Sequence, residues 1–179
     1  HLRMSGRGPG ERDRAPERIR WAVDLVAPSP RDPLLEIGCG PGMAAQLVCE
    51  RLTTGRLLAI DRSDVATKRA IARNRAHIEA GRLEVRTASL DELELEPGRL
   101  DAAFSVNVNL FWTRAPDAEL EFLSRALRRG GALHVLHGAG PQSAETVIAT
   151  LSRALKDHGF RQITPRNARA GFGVSAIRA

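Results

Sequence analysis

The sequence predicts an α/β fold built on a doubly wound, mostly parallel seven-stranded sheet with helices on both faces. Two observations support this prediction. Short apolar runs alternate with longer amphipathic stretches, which is typical of parallel strands joined by helical crossovers. A glycine-rich turn, Gly38–Gly42, follows the first apolar run, and turns of this kind lead from a strand into a crossover helix in such sheets.

The first elements follow from composition and periodicity. Residues 1–15 are rich in Gly, Pro and Arg and lack apolar periodicity, so we expect a flexible segment, and the residues ahead of Met4 resemble a tag remnant. Residues 16–179 are predicted to form one domain, because this length suits one hydrophobic core. A short helix over 17–27 opens the domain, since Ile19, Val23 and Val26 recur at helical spacing.

From there the pattern alternates to the end of the chain. The apolar runs predict strands over 34–37, 57–60, 83–86, 101–105 and 132–136. The amphipathic stretches predict helices over 42–52, 63–80, 116–128 and 143–157. The last two apolar runs have no helical stretch between them, so we expect a closing pair of strands over 160–164 and 172–177.

The positive charge of the chain does not by itself indicate a nucleic-acid partner. The net charge is +6, and nearly all of the excess is arginine, because Lys68 and Lys156 are the only lysines. The arginines are spread along the whole sequence, whereas a nucleic-acid footprint concentrates basic residues on one face. We therefore attribute them to compositional bias and do not expect nucleic acid as a partner.

Three further features bear on location and on metals. No run approaches the roughly 18 apolar residues of a membrane span, and the N-terminus lacks the apolar core of a secretory signal. Cys39 and Cys49 do not have the spacing of a zinc site, so we expect free thiols in a reducing compartment. We predict a cytoplasmic protein with no membrane association and no metal, as a monomer or a homodimer.

The first strand and its turn, LLEIGCGPG over Leu34–Gly42, contain the strongest functional signal. Glycines at this turn allow a ligand to approach the backbone closely. The dinucleotide fingerprint G-x-G-x-x-G would require glycine where the chain has Met43. Glu36 stands at the end of the strand, where a carboxylate repels a pyrophosphate and favours a ligand with a cationic group. A turn that needs glycine for structural reasons alone is the alternative.

This run resembles the E/D-x-G-x-G-x-G motif of the class I S-adenosylmethionine-dependent methyltransferases, in particular the small single-domain members. The resemblance implies a Rossmann-like methyltransferase fold, with S-adenosylmethionine as cofactor and S-adenosylhomocysteine as product. It implies that Glu36 favours the ammonium group of the cofactor, usually through water. It also implies that the turn wraps the methionine part of the cofactor, with Gly38, Cys39, Gly40 and Gly42 in contact.

Later segments resemble further motifs of the family. LLAIDRS ends the second strand with Asp61 and Arg62, which are both implied to contact the cofactor, and Asp61 is implied to accept hydrogen bonds from the ribose. An enzyme that uses NAD would employ the same acidic residue, and a helix-capping role for Asp61 is a second alternative. VRTASLDELEL has Ser89 where many members have Asp, so Ser89 and the backbone of Leu90 are implied to contact the adenine. Ser105, at the end of the fourth strand, is implied to offer its carbonyl to the ammonium.

The predicted function is therefore methyl transfer from S-adenosylmethionine to an O, N or C atom of a small molecule. A nucleic-acid or protein methyltransferase, or a non-catalytic cofactor-binding subunit, are the alternatives. Substrate contacts are expected after the fourth strand and on the first helix, from Asn107, Phe111, Trp112 and Trp21. His137, at the end of the fifth strand, is the candidate general base, with an ordinary surface histidine as the alternative.

Overall fold

The structure, a computed structural model, describes residues 14–108, 115–140 and 143–179. Its strands are β1 (Pro33–Ile37), β2 (Arg56–Asp61), β3 (Leu83–Thr87), β4 (Leu100–Val106), β5 (Leu127–Gly138), β6 (Phe160–Ala168) and β7 (Gly171–Arg178). Its helices are α1 (Glu17–Val26), α2 (Met43–Glu50), α3 (Asp64–Arg73), α4 (Arg75–Glu79), α5 (Asp117–Ala126) and α6 (Ala144–Asp157), and a 3₁₀ turn covers Leu90–Glu92. The predicted division into a flexible segment 1–15 and a domain 16–179 stays a prediction, because residues 1–13 lie outside the described part.

The strands form one seven-stranded sheet in the order β3-β2-β1-β4-β5-β7-β6. The first five strands are parallel to one another, and β7 is antiparallel to both β5 and β6. The predicted doubly wound, mostly parallel sheet is therefore confirmed. The strand order reverses between β1 and β4, so the crossovers that leave these two strands diverge, and a crevice forms at their carboxyl ends.

Helices cover both faces of the sheet, as predicted. On one face, Leu35 and Val135 pack with Leu123 of α5 and Leu151 of α6 in one apolar cluster. On the other face, Leu34 and Phe104 pack with residues of α1, α2 and α3, namely Ile19, Val23, Ala45, Val48 and Ala70. None of the helices in the described segments is both long and apolar enough to cross a lipid bilayer.

The predicted helix over 63–80 is in fact two helices, which meet at Asn74. The Asn74 side chain is buried, and its Nδ2 donates to the carbonyl oxygens of Ala70 (3.0 Å) and Gly42 (3.1 Å). A side-chain amide that bonds to nearby backbone carbonyls competes with helical hydrogen bonding and favours an interruption. This interruption places Asn74 against the glycine-rich turn, a long-range contact that local periodicity does not indicate.

The fifth strand also differs from its prediction, because β5 begins at Leu127 instead of at residue 132. Leu127 adopts an extended conformation directly after α5 and pairs with Leu100, so the helix ends at Ala126. The closing strands β6 and β7 are longer than predicted for the same reason: cross-strand pairing extends them beyond their apolar centres.

A buried polar cluster joins β5, β6 and β7. The Nδ1 of His134 lies 2.7 Å from the Oγ of Ser175, to which the Nε of Arg166 also donates at 3.1 Å. Burial, together with the positive charge of Arg166, lowers the pKa of His134 from 6.5 to about 4. In the pH range between about 4 and 6.5, His134 is therefore neutral in the folded protein but takes up a proton in the unfolded chain.

This shift predicts an acid-dependent loss of stability. The stabilisation is fully present above pH 6.5 and is lost as the pH falls toward 4, because the unfolded state then binds the extra proton. In His134→Asn, the amide can replace the Nδ1 hydrogen bond but does not titrate. Between pH 7 and pH 4.5, we expect the free energy of unfolding of the wild type to fall by about 2 kcal/mol more than that of this variant, measured by urea unfolding. Equal losses in the two proteins would contradict the role given to His134.

Candidate active site

A cavity of about 520 Å³ lies at the carboxyl ends of β1 and β4, where the strand order reverses. Residues from α1, from the turn after β1, from the end of β2 and from the segment after β4 line it. Among the residues predicted from the sequence, the structure brings together at this cavity Glu36, Gly38, Cys39, Gly40, Asp61 and Asn107. The predicted glycine turn and the predicted acidic residues therefore share one site.

The turn after β1 is held by its own backbone hydrogen bonds and by Asp61. The amides of Gly38 and Cys39 both donate to the carbonyl oxygen of Ile60, at 2.8 and 2.9 Å. The amide of Gly40 donates to Oδ2 of Asp61 at 2.9 Å, while Oδ1 accepts from the amide of Ser63 at 2.8 Å. One carboxylate thus joins the turn to the start of α3, and these three turn amides already have acceptors.

Glu36 is the unusual group of the cavity. Its side chain is 2% exposed, and its Oε1 has no hydrogen-bond partner within the described part of the chain. Burial, and secondarily the negative charge of Asp61, raises the pKa of Glu36 to about 8. A buried acidic group without a partner is costly unless a ligand supplies one. The site is therefore built to receive a hydrogen-bond donor, and a cationic donor stabilises the ionised carboxylate most.

Among the described residues, one cationic side chain lines the cavity: the exposed Arg18 of α1, one of the arginines before Trp21 on the predicted first helix but not one of the individually predicted contacts. The N-terminus of α2 lies beside it, where Met43 and Ala44 line the same cavity. No side chain of the described residues caps α2, so its first amides and the positive end of its dipole can face an anion. The position of Arg18 on the helix before β1 was the available signal, but only the packing of α1 brings it to the turn.

Other predicted contacts lie near the cavity without lining it. Gly42 is the N-cap residue of α2, Arg62 is exposed just after β2, and Ser105 is buried in β4. Ser89 and Leu90 lie at the 3₁₀ turn after β3, where the Ser89 hydroxyl donates to Oε1 of Glu92 at 2.8 Å. The adenine contact assigned to Ser89 and Leu90 stays a prediction, as do the roles of Arg62 and Ser105.

The predicted substrate and base residues are placed as follows. The ring of Trp21 lies against β7, because a Cβ at Gly171 would be only 2.7 Å from its Cζ3. His137 is buried at the end of β5, with its ring 5.4 Å from that of Phe172, and burial lowers its pKa to about 4. Neither residue lines the cavity, and Phe111 and Trp112 lie outside the described residues. These assignments stay hypotheses.

The Cys39 thiol also lines the cavity, and its electrostatic surroundings keep it protonated. Burial, with the negative charges of Glu36 and Asp61, raises the pKa of Cys39 to about 12. A thiol in this state is a poor nucleophile. Within the described segments, no group of three or more His, Cys, Asp or Glu residues is arranged to hold a metal ion.

The chain is similar in sequence to known methyltransferases. Residues 34–131 match a family model described as a methyltransferase domain. The trans-aconitate 2-methyltransferase of Streptomyces avermitilis is 31% identical over 124 residues, which cover 66% of this chain and 45% of that protein. The enzyme of the same name from Sinorhizobium fredii is 36% identical over 122 residues, covering 66% and 44%. The chain thus spans less than half the length of these relatives.

Solved structures share the fold at low sequence identity. A SAM-dependent methyltransferase from Aquifex aeolicus superposes with a TM-score of 0.72 at 18% identity, covering 90% of this chain and 89% of that one. A geranyl diphosphate methyltransferase in complex with SAM gives 0.69 at 15% identity, covering 90% and 84%. The [4+2]-cyclase SpnF gives 0.72 at 17% identity, covering 89% and 81%. At these identities the likeness concerns the fold alone.

We predict that two glycines of the turn differ in how much stability the protein loses when each is replaced by alanine. Gly42 has a φ of 85°, and a Cβ there would lie 2.7 Å from Nδ2 of Asn74 and 2.9 Å from Cα of Ala70. Gly40 has a φ of 52°, and its Cβ would meet no atom within 4 Å. We expect Gly42→Ala to lower the free energy of unfolding by roughly 3 kcal/mol and Gly40→Ala by only about 1 kcal/mol, as measured by urea unfolding. Equal losses would show that packing against α3 does not determine the turn.

Proposed function

The chain belongs to the class I S-adenosylmethionine-dependent methyltransferases, and we propose that it binds S-adenosylmethionine in the cavity at the ends of β1 and β4. We further propose that it transfers the methyl group to a carboxylate oxygen of a small organic acid. The observation that supports the cofactor assignment most strongly is the buried Oε1 of Glu36, which has no partner within the described part of the chain.

Glu36 fits the ammonium group of the cofactor. The carboxyl is buried beside Asp61, so its ionised form is unfavourable as long as no cation is near. An ammonium group supplies both the missing hydrogen-bond donor and the compensating charge. The same carboxylate would oppose a pyrophosphate, which argues against a dinucleotide in this cavity.

Asp61 fits the two vicinal hydroxyls of the ribose. Each of its oxygens accepts one backbone amide, from Gly40 and from Ser63. A carboxylate has about four acceptor positions, so it retains capacity for two further donors. The backbone contacts also hold the carboxylate in place before the ligand arrives, which reduces the ordering that binding requires.

Arg18 and the N-terminus of α2 fit the carboxylate of the cofactor. The amides of Gly38, Cys39 and Gly40 already have acceptors, and Gly42 donates to the carbonyl oxygen of Cys39. The turn itself therefore has few free backbone N–H groups that could donate to an anion. Arg18 is the only cationic side chain among the described residues that line the cavity, and α2 adds the positive end of its dipole.

When bound, the cofactor supplies a methyl group on a positively charged sulfur that departs as a neutral thioether, so this departure needs no acid. The protein then has to align the acceptor, and alignment alone can contribute roughly 7–11 kcal/mol. A carboxylate acceptor is already ionised at neutral pH and needs no base. This suits a cavity in which the acidic side chains of the described lining, Glu36 and Asp61, are both assigned to the cofactor.

The choice of a carboxylate acceptor rests on the relatives. Two proteins at 31% and 36% identity are named trans-aconitate 2-methyltransferases, and each matches this chain over 66% of its length. Since the chain spans less than half of their length, the acceptor is proposed as a class, small di- or tricarboxylic acids, and not as one compound.

The Glu36 assignment predicts a proton release on cofactor binding. The free protein holds Glu36 protonated below pH 8, and the bound form pairs its carboxylate with an ammonium group. Affinity for S-adenosylhomocysteine should therefore rise by up to about tenfold per pH unit between pH 5.5 and pH 7. Calorimetry at pH 6.5 in two buffers of different ionisation enthalpy should detect the release of about one proton.

Glu36→Gln is the matched control for this measurement. The amide has nearly the same size and does not titrate, so binding should be weaker at pH 7 and should lose its pH dependence. A flat pH profile in the wild type would contradict the ionisation of Glu36 on binding, whereas release of the proton in Glu36→Gln as well would assign the linkage to another group.

The acceptor proposal predicts turnover with carboxylic acids. The protein, incubated with S-adenosylmethionine and trans-aconitate or citrate, should produce S-adenosylhomocysteine and a methyl ester, detected by mass spectrometry. The fully esterified acid is the matched control, because it has no ionised oxygen and should give no product. If the cofactor binds but no di- or tricarboxylic acid is methylated, the proposed acceptor class is wrong, whereas the proposed cofactor site is not contradicted.

A further inference from the structure

A second cavity, of about 590 Å³, opens at the opposite edge of the sheet, where β1, β2, β3 and β4 begin. We call it the rear groove and define it by its basic residues Arg31, Arg56, Arg86 and Arg99 and by its apolar residues Leu58 and Leu95. Because the strands are parallel, this edge lies a full strand length away from the carboxyl ends that form the first cavity.

The rear groove exists because one crossover is incomplete. Between β3 and β4 the chain forms only the 3₁₀ turn Leu90–Glu92, and no α-helix covers this part of the sheet. Glu84 and Arg86 of β3 are therefore exposed, and Leu58 of β2 and Leu95 are only partly buried. The result is a concave surface with an apolar floor, and its volume falls within the ~300–1,000 Å³ range of ligand pockets.

The charges around the rear groove are strongly one-sided. The described residues of its lining include four arginines and one acidic residue, Glu84, which already pairs with Arg86 at 2.8 Å. The guanidinium groups of Arg31, Arg56 and Arg99 form no ion pair within the described part of the chain. Like charges held around one concavity repel one another, and an anion placed between them relieves that repulsion.

The two cavities differ in the ionisable side chains that line them. The first cavity has Glu36 and Asp61 against Arg18, which suits a cationic ligand. The rear groove presents three arginines that have no ion-pair partner in the described segments, which suits an anionic ligand. Some of the arginines that are dispersed along the sequence therefore lie close together at the rear groove of the folded protein.

We propose that the rear groove binds a small organic polyanion that has two or more neighbouring phosphate or carboxylate groups and an apolar body. Arginine forks match both of these anions with paired hydrogen bonds. The floor formed by Leu58 and Leu95 fits the apolar part of such a ligand. Single-stranded nucleic acid fits less well, because none of the described residues that line the groove is aromatic and able to stack on bases.

Calorimetry with defined probes tests this proposal on the whole chain. Inorganic pyrophosphate, citrate and hexyl diphosphate are titrated separately at about 150 mM KCl, an ionic strength that screens weak surface attraction. We expect saturable one-to-one binding of hexyl diphosphate, at least about tenfold tighter than pyrophosphate because its alkyl chain is buried. Citrate is also a proposed acceptor in the first cavity, so its affinity is compared between the wild type and a variant with Arg56→Gln and Arg99→Gln. The part of the pyrophosphate and citrate affinity that this variant loses shows whether the groove prefers phosphate or carboxylate.

A charge-matched pair of variants locates the binding. Arg56→Gln combined with Arg99→Gln removes two arginines of the groove that have no ion-pair partner in the described segments. Arg129→Gln combined with Arg153→Gln removes two exposed arginines outside it. We expect the first variant to weaken hexyl diphosphate at least tenfold and the second to leave it unchanged, with thermal unfolding to confirm that both are folded.

Three outcomes would overturn the proposal. The first is the absence of saturable binding by all three probes. The second is an equal loss of affinity in both double variants, which would mean a diffuse effect of net charge. The third is tight binding of a short single-stranded RNA, sensitive to Arg56→Gln and Arg99→Gln, when the small anions do not bind; the groove would then be a nucleic-acid interface.

Discussion

The Asp61 carboxylate holds the glycine-rich turn to the end of β2, and the shape of the first cavity depends on this contact. Gly40 and Ser63 donate to its two oxygens, so the turn after β1 and the start of α3 are positioned by one side chain. Asn74 adds a second attachment through the Gly42 carbonyl. With its amides engaged in this way, the turn has few free donors for a ligand, and the charged side chains beside it are the groups left to interact with one.

The electrostatics of the molecule follow from where the parallel strands end and begin. At their carboxyl ends, Glu36 and Asp61 stand close enough to affect each other, and Glu36 is buried without a partner in the described chain. At their amino ends, arginines from separate segments surround the rear groove. A chain with a net charge of +6 therefore places two carboxyl groups in the cavity at one edge of the sheet and an excess of arginines in the groove at the other. Net charge alone gives no indication of this division.

Much of the fold was predictable because its signals are local. Alternating apolar runs and amphipathic stretches indicated the doubly wound sheet, and the last two runs indicated a closing pair of strands, β6 and β7, which the structure shows to be antiparallel. The errors arose where long-range contacts override local pattern. Asn74 divides a predicted helix by bonding to Gly42, and pairing of Leu127 with Leu100 begins β5 early.

The sequence by itself determined which strands bear the acidic residues and where the glycines fall, since both depend on neighbours along the chain. Only the tertiary structure decided their chemical state. Burial of Glu36 beside Asp61 raises its pKa, and burial of His137 against Phe172 removes it from the cavity surface. The tertiary structure also brought Arg18 to the turn and gathered Arg31, Arg56 and Arg99 at the rear groove. Burial and the approach of residues distant in sequence arise from packing, which no local pattern encodes.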